Sequence, residues 1–308
     1  KSGQACHWIL PGAMPAGAAQ MTLLPSETGA VAVPLAFSAL PADAAREIEP
    51  AFARAGTLVC SNASTYRNEP DVAILLPEVN PEQAAILEVQ RRARGWTGGI
   101  VTNSNCTSTG MTVALKALQD AFGLRRVFAV SLQALSGAGY PGVPSLDIID
   151  NVIPWIKGEE EKVEWEPRKM LGHLRGGEIV PADFKISAHT NRVAVVDGHM
   201  VCLSIELENR ATPEEAARVL AAYQAPEVAR DLPSAPRPVI VVRGEPDRPQ
   251  PRLDRTTGNG MATVVGRVRP DPLFDIKLVV FSHNTIRGAA GGSIYNAELL
   301  ARLKYVRG

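Results

Sequence analysis

Residues 98–122 constrain this chain more than any other stretch. Gly98-Gly99-Ile100-Val101-Thr102 has the length and composition of a short buried strand. Asn103-Ser104-Asn105-Cys106-Thr107-Ser108 follows as a polar turn, and Met111, Ala114, Leu115, Leu118 and Phe122 then recur at helical spacing. A strand that turns at once into a helix is the unit of a layered α/β sheet. The turn also sets Cys106 at or near a helix N-terminus, where backbone N–H groups and the helix dipole favour a thiolate and can hold an oxyanion. Alone, Cys106 reads as a small buried residue filling a turn, the usual fate of a free cysteine. The rest of the chain argues otherwise.

The same alternation surrounds it. Residues 30–37 read as a buried strand, with Pro34 as a blemish. Residues 43–55 read as a helix closed by Gly56, with Pro50 inside it as a kink or break, and residues 58–61 read as a second strand. An apolar run at 71–80 predicts another strand, and a helix follows over 81–94. Such β-α-β order belongs to a parallel sheet that binds ligands beyond the C-terminal ends of its strands. Ser38-Ala39-Leu40 and Ser61-Asn62-Ala63-Ser64 occupy those ends. From residue 126 the pattern changes. Strands are expected at 126–133, 191–196, 199–207, 239–243, 262–269 and 273–281. Among them lies one helix at 212–224, opened by Thr212, Pro213 and Glu215 as cap, first residue and capping-box partner. Strands in succession predict a second, α+β domain with a mixed, largely antiparallel sheet. A last helix is expected from the small-residue run at 288–292 to about residue 304.

Composition sets the outer limits. The chain has 308 residues, enough for two domains, and 45% are apolar, which supports sizeable cores. Lysine plus arginine equals aspartate plus glutamate at 32 each, so charge gives no reason to expect nucleic acid or a membrane surface as partner. No apolar run reaches spanning length. The N-terminus has no basic-then-apolar signal pattern. Cys6, Cys60, Cys106 and Cys202 form no CxxC pair, which points away from zinc and disulfides and toward a reducing cytoplasm.

Several polar residues are candidates for chemistry. His199 follows a strand and turn, and imidazole titrates near neutrality; His7, His189 and His283 are its rivals. Gln133 precedes the glycine-rich loop Ser136-Gly137-Ala138-Gly139-Tyr140-Pro141-Gly142, which is not GxGxxG opening a helix. Arg67 lies in a loop just after a strand end, where a guanidinium fork suits an anion, and Arg192 lies in the strand and turn that could carry it to the same region as His199. Glu159 and Lys162 share a helix face; without further signal each of these charges reads as solvated surface.

Together the motifs resemble aspartate-β-semialdehyde dehydrogenase of the archaeal and fungal type. The resemblance rests on Ser61-Asn62-Ala63-Ser64-Thr65-Tyr66-Arg67, Asn105-Cys106-Thr107, residues 132–140, Gly158-Glu159-Glu160-Glu161-Lys162, Asn191-Arg192 with Asp197-Gly198-His199, residues 247–255 and residues 283–291. It implies a Rossmann-like domain of residues 1–105 plus 283–308 and a catalytic and dimerisation domain of residues 106–282. By the same resemblance Cys106 forms a thioester, His199 is the acid/base and Gln133 positions the reacting groups. Arg192 binds the substrate carboxylate, Glu159 its ammonium, and Arg67, Lys162 and Asn105 its phosphate. Ser136, Gly137, Gly139 and Asn284 lie along the nicotinamide of NADP, with Ser38, Ala39 and Leu40 near the cofactor. A homodimer or homotetramer is implied.

Family members begin with a strand and a GxxGxxG-type turn that this sequence lacks. Lys1-Ser2-Gly3-Gln4 resembles a point roughly 40 residues into them, about one βαβ unit, so a trimmed form of a longer protein is expected. The alternative is an acyl-CoA reductase such as malonyl-CoA reductase. Arg67, Glu159 and Lys162 together favour phosphate and an amino-acid substrate. A non-catalytic relative is expected to lack the cysteine, histidine or glutamine, and all three are present. The motifs of glyceraldehyde-phosphate dehydrogenase are not found.

Overall fold

The computed structural model describes Trp8 and residues 12–306; Cys6, His7 and Lys1-Ser2-Gly3-Gln4 lie outside the described residues. Strands β1 (Leu35–Ser38), β2 (Leu58–Ser61) and β3 (Gly99–Thr102) form a parallel sheet in that order. Every residue of β2 and β3 is buried, as expected of strands covered on both faces. The helices Ala42–Arg54 and Ile86–Arg94 supply the crossovers. The first runs on through Pro50, and Gly56 turns the chain at φ +106 beyond its end. The second ends on Gly95 in the left-handed conformation.

Two expected strands differ. Residues 30–37 contribute only Leu35–Ser38, and Phe37 is exposed. Pro34 has no N–H to give a ladder, and its carbonyl instead ends the pairing by accepting from Leu58. The run at 71–80 is buried but forms one bridge, Ile74 to Thr102. There the Asn80 side chain replaces a partner strand: its amide donates to the Ile74 carbonyl at 2.9 Å and its oxygen accepts from Leu76 N–H at 2.8 Å.

The second sheet holds β4 (Leu124–Gln133), β7 (Lys185–Arg192), β8 (His199–Leu207), β9 (Ile240–Arg243), β10 (Thr263–Pro270) and β11 (Ile276–Ser282) in the order β7-β4-β8-β11-β10-β9. Pairs β4/β7 and β9/β10 are parallel and the others antiparallel. The strand predicted over 191–196 ends at Arg192: Val193 N–H gives the last ladder bond to Gln133, and Val195 then turns back to donate to the Val193 carbonyl. Strands β5 (His173–Arg175) and β6 (Glu178–Val180) make a separate hairpin. The helices Cys106–Phe122 and Pro213–Ala222 cover one face of the large sheet. The second has the expected capping box of Thr212 and Glu215. On the other face Phe128, Val130 and Met200 stay half-buried and Cys202 exposed.

One apolar core joins the two sheets, running from Leu58 through Leu115 to Leu203, Leu278 and Leu299. After β11 the chain makes a wide turn, Ile286–Ala290, and returns as the helix Gly291–Arg302 to the first sheet. Ser293 there accepts from Asn62 at 3.0 Å and Asn103 at 2.9 Å. Beneath the turn, Arg287 donates to Glu78 at 2.6 and 2.9 Å, both residues being 1% exposed. A buried charge of this kind persists only when paired. No helix among the described residues is long and apolar enough to cross a membrane.

Candidate active site

The ends of β2, β3, β4 and β7, the Glu159–Met170 helix and the turn after β11 converge on a cleft of about 630 Å³. Cys106 is the first residue of its helix and faces this cleft. His199, first residue of β8, lies behind it with Nε2 3.2 Å from the sulfur. Its Nδ1 accepts from the Ala134 N–H at 3.1 Å. An acceptor at Nδ1 assigns the neutral ring's proton to Nε2, so the ring donates toward sulfur. Burial and then Arg192 pull His199 down to about 3. The imidazole is therefore neutral at physiological pH.

The helix N-terminus does not ionise Cys106 as its position suggested. Burial first, then Glu159, push the thiol up to about 12, against Arg67 and Arg192. The first-turn amides are committed elsewhere: Asn105 Oδ1 accepts from Thr107 N–H at 2.9 Å and Ser108 N–H at 3.2 Å. An oxyanion must therefore rely on His199 and on the Cys106 amide, which has no intrahelical acceptor at this position.

Arg192, at the end of β7, is 6% exposed and forms no ion pair among the described residues. One guanidinium nitrogen donates to the Ala134 carbonyl at 2.7 Å, and the rest of the fork faces the cleft. A buried arginine without an internal carboxylate is a ready site for an external one. Gln133 is the register partner of Arg192 across the β4/β7 pair and donates to Ser131 at 3.1 Å. Gly137 must be glycine, since a Cβ there would stand 2.7 Å from Arg192 Nη1 and 2.9 Å from the His199 ring.

On the opposite wall Glu159 accepts from Asn105 at 2.7 Å and pairs with Lys162 at 3.5 Å. Arg67 pairs with Glu166 at 3.0 Å and donates to the Asn62 carbonyl at 2.8 Å, while its Nε is buried without a partner. Asn105 also lines the cleft, with both ends of its side chain bound to the protein, the amide group to Glu159 and the oxygen to the first-turn amides. Ser136, Gly139 and Asn284 line the cleft; Asn284 donates to Ser136 at 2.8 Å and accepts from Gly198 N–H at 2.7 Å. Ser38, Ala39 and Leu40 do not join them. They line a separate cleft of about 240 Å³ beside β1.

A thiol, an imidazole, a free guanidinium and a carboxylate around one cleft suit acyl transfer through sulfur on a zwitterionic substrate. Comparison with known proteins agrees. The family model described as semialdehyde dehydrogenase, dimerisation domain, matches residues 115–287, and that described as semialdehyde dehydrogenase, NAD binding domain, matches residues 1–86. The chain belongs to the semialdehyde dehydrogenase family. Aspartate-semialdehyde dehydrogenase of Archaeoglobus fulgidus is 52% identical over 99% of this chain and 88% of that protein. The enzyme of the same name from Schizosaccharomyces pombe is 48% identical over 87% of this chain and 77% of its own length. The crystal structure of aspartate semialdehyde dehydrogenase with NADP from Candida albicans matches at a TM-score of 0.87 and 39% identity, covering 97% of this chain and 86% of that one.

In this semialdehyde dehydrogenase, Glu166, Asn103 and Gly288 matter as much as the residues the motifs pointed to. Glu166, fully buried, accepts from Arg67 and from the Asn105 N–H at 2.5 Å. It follows Glu159 by seven residues, two helical turns, a face-sharing signal legible beside the motif. Asn103 ties β3 to Asn62, Ala289 and Ser293. Gly288 stands against Cys106, with a Cβ position only 2.7 Å from the Cys106 Cβ.

Proposed function

We propose that this chain is an NADP-dependent aspartate-semialdehyde dehydrogenase, a phosphorylating aldehyde dehydrogenase of amino-acid biosynthesis leading to lysine, threonine and methionine. The observation that carries the reading is the arrangement of Cys106, His199 and the unpaired Arg192, in a chain 52% identical to the Archaeoglobus fulgidus enzyme of that name.

Arg192 holds the α-carboxylate and Glu159 the ammonium, which places the acyl carbon at Cys106. The sulfur attacks aspartyl phosphate and gives up its proton, the carbon–oxygen bond to phosphate breaks, the phosphate leaves carrying that proton, and a thioester remains. His199 Nε2–H donates to the oxyanion of the tetrahedral intermediate. Arg67 and Lys162 hold the departing phosphate. The residues present fit the reactive end of a dinucleotide: at Gly139 a Cβ would meet nothing within 4 Å, so that wall is open, and Asn284 fixes the adjoining Ser136. Bound there, NADP would supply the hydride exchange at the acyl carbon. Ser136, Gly137, Gly139 and Asn284 would hold its nicotinamide, and Ser38, Ala39 and Leu40 belong to a more distant part of its site.

The domain division at 1–105 plus 283–308 and 106–282 is supported by the return of the Gly291–Arg302 helix to the first sheet. A homodimer or homotetramer through the open face of the large sheet fits the dimerisation-domain match. The free thiols of Cys60 and Cys202 suit a cytoplasmic setting. The test is NADP reduction with aspartate semialdehyde, in phosphate and then with CoA replacing phosphate. Phosphate-dependent reduction is expected; CoA-dependent reduction without phosphate would instead support the acyl-CoA reductase.

A further inference from the structure

The titratable and charged groups that face the Cys106 sulfur come from four directions. His199 stands at the start of β8, Arg192 at the end of β7 and Arg67 in the loop after β2. The Glu159–Met170 helix brings Glu159, Lys162 and Glu166, and Gly288 closes the remaining side without charge. Glu166 is neutralised by its ion pair with Arg67 at 3.0 Å.

Glu159 is held differently. Its close partners are neutral donors, Asn105 Nδ2 at 2.7 Å and Thr107 Oγ1 at 3.4 Å. Its one ion-pair partner among the described residues is Lys162, at 3.5 Å, with a side chain 31% exposed against 8% for Glu159, and Arg192 acts on it from farther off. Neutral donors fix the carboxylate in place without cancelling its charge, whereas a half-solvated ammonium at that distance is screened. A buried negative charge opposes the ionisation of a neighbouring thiol. Asn105 adds to the effect. While its amide group serves Glu159, its oxygen occupies the Thr107 and Ser108 amides that would otherwise favour a thiolate.

We propose that Glu159 is an electrostatic gate on the nucleophile, adding to burial in holding Cys106 as a thiol until an ammonium group on the substrate pairs with the carboxylate. The proposal deepens the reading of Glu159 as the ammonium site and rests on it. It makes the amino group of the substrate a condition of reactivity as well as of binding. It also keeps the sulfur of the empty enzyme inert toward oxidants and stray electrophiles.

The test is the rate of alkylation of Cys106 by iodoacetamide, followed by mass spectrometry of the Cys106 peptide from neutral to alkaline pH. In folded E159Q, which keeps an acceptor for Asn105, alkylation at neutral pH is expected to be about tenfold faster, a downward shift of about one pH unit in the profile. Methylammonium chloride, compared with potassium chloride at equal concentration, is expected to speed alkylation of the unaltered chain and not of E159Q. K162M removes the cation nearest Glu159 from a half-exposed position, so it folds even if E159Q does not, and it is expected to slow alkylation. Equal or slower alkylation of folded E159Q, or unchanged or faster alkylation of K162M, overturns the gate. Faster alkylation of E159Q without a methylammonium response overturns release by ammonium and the substrate reading beneath it. An unchanged KM of E159Q for the semialdehyde counts against that substrate reading alone.

Discussion

The His199 ring bridges the Ala134 amide and the Cys106 sulfur, accepting from the first at Nδ1 over 3.1 Å and facing the second with Nε2 at 3.2 Å. The backbone of one strand end thus decides which nitrogen carries the proton. To take a proton from sulfur at Nε2, the ring would have to move its own proton to Nδ1 and give up the Ala134 contact. Donation from Nε2–H is the role the geometry presents, as a neutral imidazole acts in other electrophilic sites.

His199 should therefore leave two signatures in pH. Its protonation is depressed by burial from 6.5 to about 3 in the folded chain, so the unfolded chain binds the extra proton first as pH falls. The associated stability is fully present above about 6.5 and is lost progressively toward 3. Urea-unfolding midpoints across that range should fall less steeply in His199→Asn than in the unaltered protein. Turnover of the same variant should drop about 10²- to 10⁴-fold, and a loss under threefold would remove the ring from the chemistry.

Arg192 is the second test. With no internal carboxylate to satisfy, its fork is free for the substrate's, and the planar geometry matters more than the charge. Arg192→Lys should raise KM for aspartate semialdehyde by about 10- to 100-fold, equivalent to roughly 1.4–2.8 kcal/mol, with a smaller change in kcat. Steady-state kinetics in saturating phosphate decide it; an unchanged KM rejects the assignment.

Glu166 reaches no substrate, yet it anchors both Arg67 and the Asn105 amide. Glu166→Ala strands a buried guanidinium and should cost about 3–5 kcal/mol of stability. Glu166→Gln keeps the volume and should fold, while raising KM for phosphate several-fold because Arg67 loses its ionic anchor. A purely structural role would lower thermal stability and leave that KM unmoved.

Gly288→Ala tests the closeness of the turn after β11 to the nucleophile. The added Cβ would sit 2.7 Å from Cys106 Cβ and 3.0 Å from its Cα, so one of the two must shift. A displacement of this order at a reacting atom should lower kcat at least about tenfold, with modest change in melting temperature. Full activity would show that the turn yields and not Cys106.

Local signals made much of this fold readable. The Cys106 strand–turn–helix and the Thr212 cap lie within a few residues of sequence, and both are found where they were expected. Leu35–Ser38 and the bridge at Ile74 were misjudged because apolar runs do not say whether a partner strand is available. The site was legible through motif resemblance, which placed Cys106, Gln133, Glu159, Arg192 and Asn284 around one cleft. The partners of Glu166 and of the Glu78–Arg287 pair lie 61 to 209 residues away, so the seven-residue spacing from Glu159 shows which helix face Glu166 shares but not what it binds, and nothing local announces the pair. The raised Cys106 thiol was hidden too: a helix start and its Asn105 cap are visible in sequence, but the burial that disfavours the thiolate and the approach of Glu159 are not.

Arg287 clasps Glu78 across 209 residues, and the clasp sits directly under the glycine that abuts Cys106. Its formation closes a loop of 209 residues, the slow kind of contact for a folding polypeptide to find. Return of catalytic turnover after dilution from denaturant is thus a stopwatch for the final long-range closure, and circular dichroism, which senses helices and strands already in place, should recover ahead of it.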